Sequence, residues 1–151
     1  MANELIELLD TAMYKEVASQ SFYSAALQKS VDPGAKALMT ELAQEESRHY
    51  QRLQKLKERD WSKGQWYEKS IKDLGISEYL MGDDALNETS LQDTLIFAMK
   101  REQHAVEFYS KLMSALRSKE AKLLCERLVH EELKHKQRLE LFYDELFYAE
   151  D

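Results

Sequence analysis

The chain has 151 residues, 44% of them hydrophobic, enough for one domain to bury its own core. A formal charge of −7, with Lys and Arg interleaved among Glu and Gln, excludes sequence-independent binding to nucleic acid or to anionic membranes, both of which need clustered cations. One cysteine, Cys125, excludes an intrachain disulfide and a paired-cysteine metal knuckle; with no apolar run long enough to span a membrane and no signal peptide in view, a cytoplasmic setting is expected.

Only four glycines and one proline interrupt a chain rich in good helix formers, so an all-α fold is expected. Apolar residues recur at helical spacing over four stretches, about 3–30, 34–59, 89–116 and 119–149. The first two meet at Val31-Asp32-Pro33-Gly34, where Asp32 can cap and Pro33 suits a first helical position. Residues 60–88, broken by Gly64, Gly75 and Gly82, read as a crossover long enough to run the length of a bundle. The last two stretches meet near Ser118, a candidate N-cap. Two antiparallel helical hairpins joined by one long crossover is the connectivity of a ferritin-like four-helix bundle, here predicted as a single domain over 1–151.

Sliding the sequence against itself by 86 positions aligns residues 5–60 with 91–146 without a gap and gives 18 identities in 56 positions, the mark of a duplicated hairpin. Glu16 pairs with Glu102, Glu46 with Glu132 and His49 with His135. Each hairpin therefore supplies one Glu and then one Glu-x-x-His, and residues three apart on a helix present their side chains to one point. The levels agree as well. Glu16 lies 16 residues before Asp32 and Glu46 lies 14 after it, while Glu102 and Glu132 hold the same places about Ser118. Four carboxylates facing one another inside a bundle must protonate or bind cations, and two divalent metals balance four carboxylates and two neutral imidazoles.

The competing reading of these six residues is a set of solvated helix positions preserved by duplication, as Lys36 and Lys122 were. Tyr23 and Tyr109 lie two turns beyond Glu16 and Glu102 and either hydrogen-bond a ligand carboxylate or simply pack in the core. Glu45 and Glu131 precede the histidines by four residues and either support the site as outer partners or extra ligands or, pointing about a hundred degrees from Glu46 and Glu132, occupy solvated edges, the role expected first. His104 and His130 have no histidine at the matching repeat position and are expected at the surface, while Cys125 is expected as inert packing.

The segments Glu45-Glu46-Ser47-Arg48-His49 and Glu131-Glu132-Leu133-Lys134-His135, each after an upstream Glu, resemble the signature of the rubrerythrin and erythrin branch of the ferritin-like di-iron carboxylate proteins. That resemblance implies two iron ions held by Glu16, Glu46, His49, Glu102, Glu132 and His135, with Mn, mixed Fe/Mn or Zn as alternatives, and redox activity toward O2 or H2O2. The chain departs from rubrerythrins in lacking the four cysteines of a rubredoxin domain, so the electron donor is expected to be a separate rubredoxin-like protein or flavoprotein. It departs again at Ala105, three residues after Glu102, where peroxide-reducing members carry an extra carboxylate; Ser19 holds the matching place after Glu16, and the site reads as six-ligand and symmetric. Ferroxidase or storage activity and a metal-free structural bundle are the competing functions. The aromatic run at the end of the fourth stretch, Phe142-Tyr143 and Phe147-Tyr148, is expected to serve a homodimer contact or to cover the crossover.

Overall fold

The computed structural model describes residues 2–59 and 90–148, with side chains from residue 6 onward. The expected crossover lies outside the described residues. Four helices make up the rest: α1 (Ala2–Lys29), α2 (Pro33–Lys57), α3 (Leu91–Ala115) and α4 (Lys119–Phe147). Helix α1 packs along α2 and α3 along α4, and α2 also meets α4.

Local chemistry sets the helix starts. Asp32 accepts from the Ala35 amide at 2.9 Å and Pro33 opens α2, so the first turn loses none of its hydrogen bonds to the missing proline N–H. Ser90 and Ser118 cap α3 and α4 in the same way, accepting from Asp93 at 3.1 Å and Ala121 at 3.3 Å. At Gly34 an added Cβ would lie 3.1 Å from the Phe142 ring, so the absence of a side chain lets the first turn of α2 sit against the far end of α4.

The buried positions of α2 run Ala35, Leu38, Met39, Leu42, Glu46, His49, Leu53 and Leu56, one helical stripe with Glu46 and His49 at its centre. On α4 the stripe is Ala121, Cys125, Leu128, Glu132, His135 and Leu139, with the polar pair again central. These stripes divide the apolar core in two. One cluster gathers Leu8, Leu9, Leu53, Phe108, Leu112, Cys125 and Leu128 at the end holding the α3–α4 turn. The other gathers Phe22, Ala26, Leu38, Leu42, Leu95, Ala98 and Leu139 at the end holding the α1–α2 turn. Burying one such leucine contributes about 1.5–3 kcal/mol. The layer between them is polar and buried.

Candidate metal centre

Glu16, Glu46, His49, Glu102, Glu132 and His135 converge in that central layer, none of them more than 2% exposed. Their ligand atoms form two overlapping sets, Glu16, Glu46, His49 and Glu132 in one and Glu46, Glu102, Glu132 and His135 in the other, with the atoms of each set within 4.8 Å of one another. Glu46 and Glu132 belong to both sets, Glu16 and Glu102 to one each.

The histidines aim Nδ1 inward. His49 Nδ1 lies 3.1 Å from Glu46 Oε1 and 3.3 Å from Glu132 Oε1. His135 Nδ1 lies 3.2 Å from Glu132 Oε1 and 3.3 Å from Glu102 Oε2. The two rings stack at 5.7 Å, 13° from parallel.

Outer partners hold these side chains from behind, and they cross between hairpins. The Tyr23 hydroxyl on α1 donates to Glu102 Oε1 on α3 at 2.5 Å, and the Tyr109 hydroxyl on α3 donates to Glu16 Oε1 on α1 at 2.6 Å. Both tyrosines are fully buried, so the hydrogen-bonding and packing roles set against each other in the sequence coincide. Glu131 on α4 accepts from His49 Nε2 at 3.2 Å, and its other oxygen takes Arg52 at 2.5 Å. Glu45 on α2 lies 3.3 Å from His135 Nε2 and accepts from Arg138 at 3.1 Å. A carboxylate can only accept, so the His49 ring proton belongs on Nε2 and leaves the Nδ1 lone pair facing inward.

Of the two roles set against each other for Glu45 and Glu131, the structure replaces the solvated edge with the outer partner, leaving them about a quarter exposed and beside the histidine of the opposite helix. Their repeat identity, shared with Arg52 and Arg138, was the available signal. His104 and His130 are exposed, and Cys125 is buried and free.

Electrostatics in this layer are unresolved by protein alone. Burial, reinforced by Glu132, Glu16 and Glu102, drives the Glu46 carboxyl well above its usual range, and burial with Glu102 and Glu16 pushes Glu132 up to about 7. Burial alone would lower His49, but Glu131, Glu16 and Glu46 outweigh it and raise its affinity for a proton. Seven inward-facing atoms find no hydrogen-bond partner: Glu16 Oε2, both Glu46 oxygens, Glu102 Oε2, Glu132 Oε1 and the two Nδ1 atoms. Buried polar atoms are almost always paired, and hard carboxylate oxygens with imidazole nitrogens suit first-row divalent metals. The donor set fits a di-metal centre.

On the α1–α3 side a polar cleft of about 10 Å³, room for roughly one water, is lined by Lys15, Ser19, Arg101 and His104 and reaches Glu16 and Glu132. Beside this cleft Arg101 donates to Ser19 at 3.0 Å and its guanidinium lies over the Phe22 ring.

The Rubrerythrin family model matches residues 1–57, which is α1 with α2 and contains the first Glu and Glu-x-x-His. No curated protein matches the chain. Among solved structures, a hypothetical protein of Pyrococcus furiosus is similar with a TM-score of 0.72 and 26% identity, over 97% of this chain and 92% of that one. A Thermotoga maritima protein described as a ferritin-like diiron-carboxylate protein is similar at TM-score 0.71 and 21% identity, over 94% and 95%. A two-domain Anabaena variabilis protein with DJ-1/ThiJ/PfpI-like and ferritin-like domains is similar at TM-score 0.72 and 18% identity, over all of this chain and 39% of that one.

Proposed function

We propose that this chain, a rubrerythrin-like member of the ferritin-like proteins, holds two iron ions at its central layer and uses them as an oxidoreductase toward O2 or H2O2. The observation that carries this reading is the set of seven unpartnered donor atoms arranged as two sites with two shared carboxylates. Bound iron would supply reversible electron transfer to the oxidant, reducing H2O2 by two electrons and two protons to two waters, and carboxylates that change binding mode tolerate the change of charge.

The chain's own residues have separable tasks. Tyr23 and Tyr109 fix one oxygen of Glu102 and Glu16, so the other oxygen of each faces the centre. Glu131 and Glu45 turn the imidazoles so that Nδ1 points inward, and Arg52 and Arg138 neutralise those carboxylates. Lys15 and Arg101 place positive charge on the α1–α3 side, and burial lowers the proton affinity of Lys15. The cleft there has room for about one water, which favours the smallest oxidants over an organic substrate. Two protein features bear on context: the free cysteine suits a reducing cytoplasm, and Leu141, Leu146 and Tyr148, exposed at the end of α4, suit a homodimer contact. Among the described residues no helix is long and apolar enough to cross a membrane.

Metal analysis of protein purified under anaerobic iron supply tests this reading: two metals per chain, with an absorption change on adding O2 or H2O2 that a reductant reverses. Iron accumulating far beyond two per chain would replace the redox reading with storage. Absence of metal, with no spectral response after reconstitution, would refute both.

A further inference from the structure

Two surface grooves lie side by side along the α2–α4 face and share Arg52, Leu123 and Arg127. The one nearer the α3–α4 turn, about 670 Å³, is lined by Arg52, Lys55, Arg59, Lys119 and Arg127 against the single acid Glu120. On a chain of charge −7 this is a concentrated reversal of sign. Glu120 is engaged by Arg59 and Arg52 is engaged by Glu131, whereas Lys55, Lys119 and Arg127 have no ion-pair partner among the described residues.

The internal repeat shows that neither the fold nor the metal centre requires this charge. At the offset of 86, Lys55 corresponds to Leu141, Arg59 to Glu145, Arg127 to Glu41 and Lys119 to Pro33; only Arg52 keeps its type, in Arg138. Arg138 is neutralised by Glu41 as well as Glu45. One half of the face has become basic while its repeat-related half carries acids, although both halves hold equivalent histidines.

A short protein route inward also starts from the basic half, as its repeat-related counterpart through Arg138 and Glu45 starts from the other. Arg52 lines the groove and donates to Glu131, which accepts from His49, so two hydrogen bonds separate the groove from the central layer. Leu123, 61% exposed, stands within the ring of cations. An apolar point inside a charged rim is the anatomy of a protein interface, and electrostatically steered association suits a short-lived redox encounter. Lys119 and Arg127 are eight residues apart on one helix, about 12 Å at 1.5 Å per residue, a spread that exceeds a single phosphate and suits an acidic protein surface.

Building on the redox reading above, we propose that the groove lined by Lys55, Lys119, Leu123 and Arg127 is the docking surface for a small acidic one-electron carrier protein, the donor that the centre requires. Each docking event delivers one electron, the carrier being oxidised by one, so two events supply the pair needed per H2O2.

The test is calorimetric titration of an acidic rubredoxin into the metal-loaded chain across a salt series, with metal content and sedimentation measured on the same samples. The expected result is affinity that falls with salt and that drops at least tenfold, about 1.4 kcal/mol, in the double variant K55E/R127E. Glu145→Lys, at the repeat-related position of Arg59, leaves affinity undiminished. Metal content reads the redox proposal and the titration reads the docking proposal, so each can fail alone. Unchanged affinity in K55E/R127E with metal and fold intact overturns the docking surface. So does a homodimer that this variant dissociates while rubredoxin fails to bind, because the groove then belongs to a second copy.

Discussion

Metal binding should be written into the stability of this fold, and the size of the effect follows from the site. Ligands that bind only the folded chain stabilise it by about 2.7 kcal/mol at a hundred times their dissociation constant, so two such sites contribute about 5 kcal/mol. For a domain of this length each kcal/mol moves Tm by about 2–4 °C, which makes the shift between metal-loaded and chelated protein about 10–20 °C. The pH dependence adds a signature that general ionic effects lack. Glu132 is pushed from 4.5 to about 7 in the metal-free fold, so its contribution of about 3 kcal/mol is complete below 4.5 and is lost as pH rises through about 7. His49, raised from 6.5, acts in the same sense above that value. Metal displaces those protons, so the loaded protein escapes the loss and the gap in Tm widens between about pH 5 and pH 8. Thermal melts followed by circular dichroism, with chelator or with Mn(II) under otherwise equal buffers, read both quantities. A gap of under about 3 °C that does not change with pH would refute the assignment of the central layer to metal.

Three further outcomes are expected. Glu46→Gln removes one of the two carboxylates common to both donor sets, so metal affinity falls at both positions by more than the roughly 10–100-fold typical of an outer partner, while the chelated protein at neutral pH melts higher than wild type because an amide is neutral without taking up a proton on folding. Tyr23→Phe and Tyr109→Phe each remove one hydrogen bond to a glutamate of one donor set and should weaken metal binding by about 10–100-fold, to similar extents; competition against a metal-sensitive dye would show whether the two losses match. Burial pushes the Cys125 thiol up to about 12, so a thiol reagent should leave the folded chain untouched near neutral pH and modify it in denaturant; rapid labelling of the native protein would contradict the core packing.

How much of this was legible in the sequence depends on whether the information lies within one helix or between two. The turns were legible because Asp32-Pro33 and Ser118 act on amides three residues away, and the structure places them at the starts of α2 and α4. The convergence of six side chains was legible because the repeat supplies the second half of every intrahelical pattern, and matched distances to two turns put both halves at one height. The roles of Glu45 and Glu131 were legible only as one of two alternatives, because the histidine that each meets lies on the other helix. Glu45 does turn away from Glu46's direction, but that direction is where α4 brings His135 and Arg138. The tyrosines show the same boundary. Tyr23 lies seven residues after Glu16, yet side chains on a helix lean toward its N-terminus, which lowers the phenol to the level of the site and across to Glu102 on α3.

Duplication makes such exchanges reciprocal: Tyr23 serves Glu102 as Tyr109 serves Glu16, and Glu131 serves His49 as Glu45 serves His135. Each hairpin is thus held in working geometry by the other, and an isolated hairpin would expose two carboxylates and a histidine without their outer partners. A single ancestral hairpin could have formed the same layer only by pairing with a second copy of itself. Fusion of the two copies then freed each half to change its outer surface separately while the buried residues remained matched. The α2–α4 face, basic at Arg127 and acidic at its repeat mate Glu41, is where that freedom is visible.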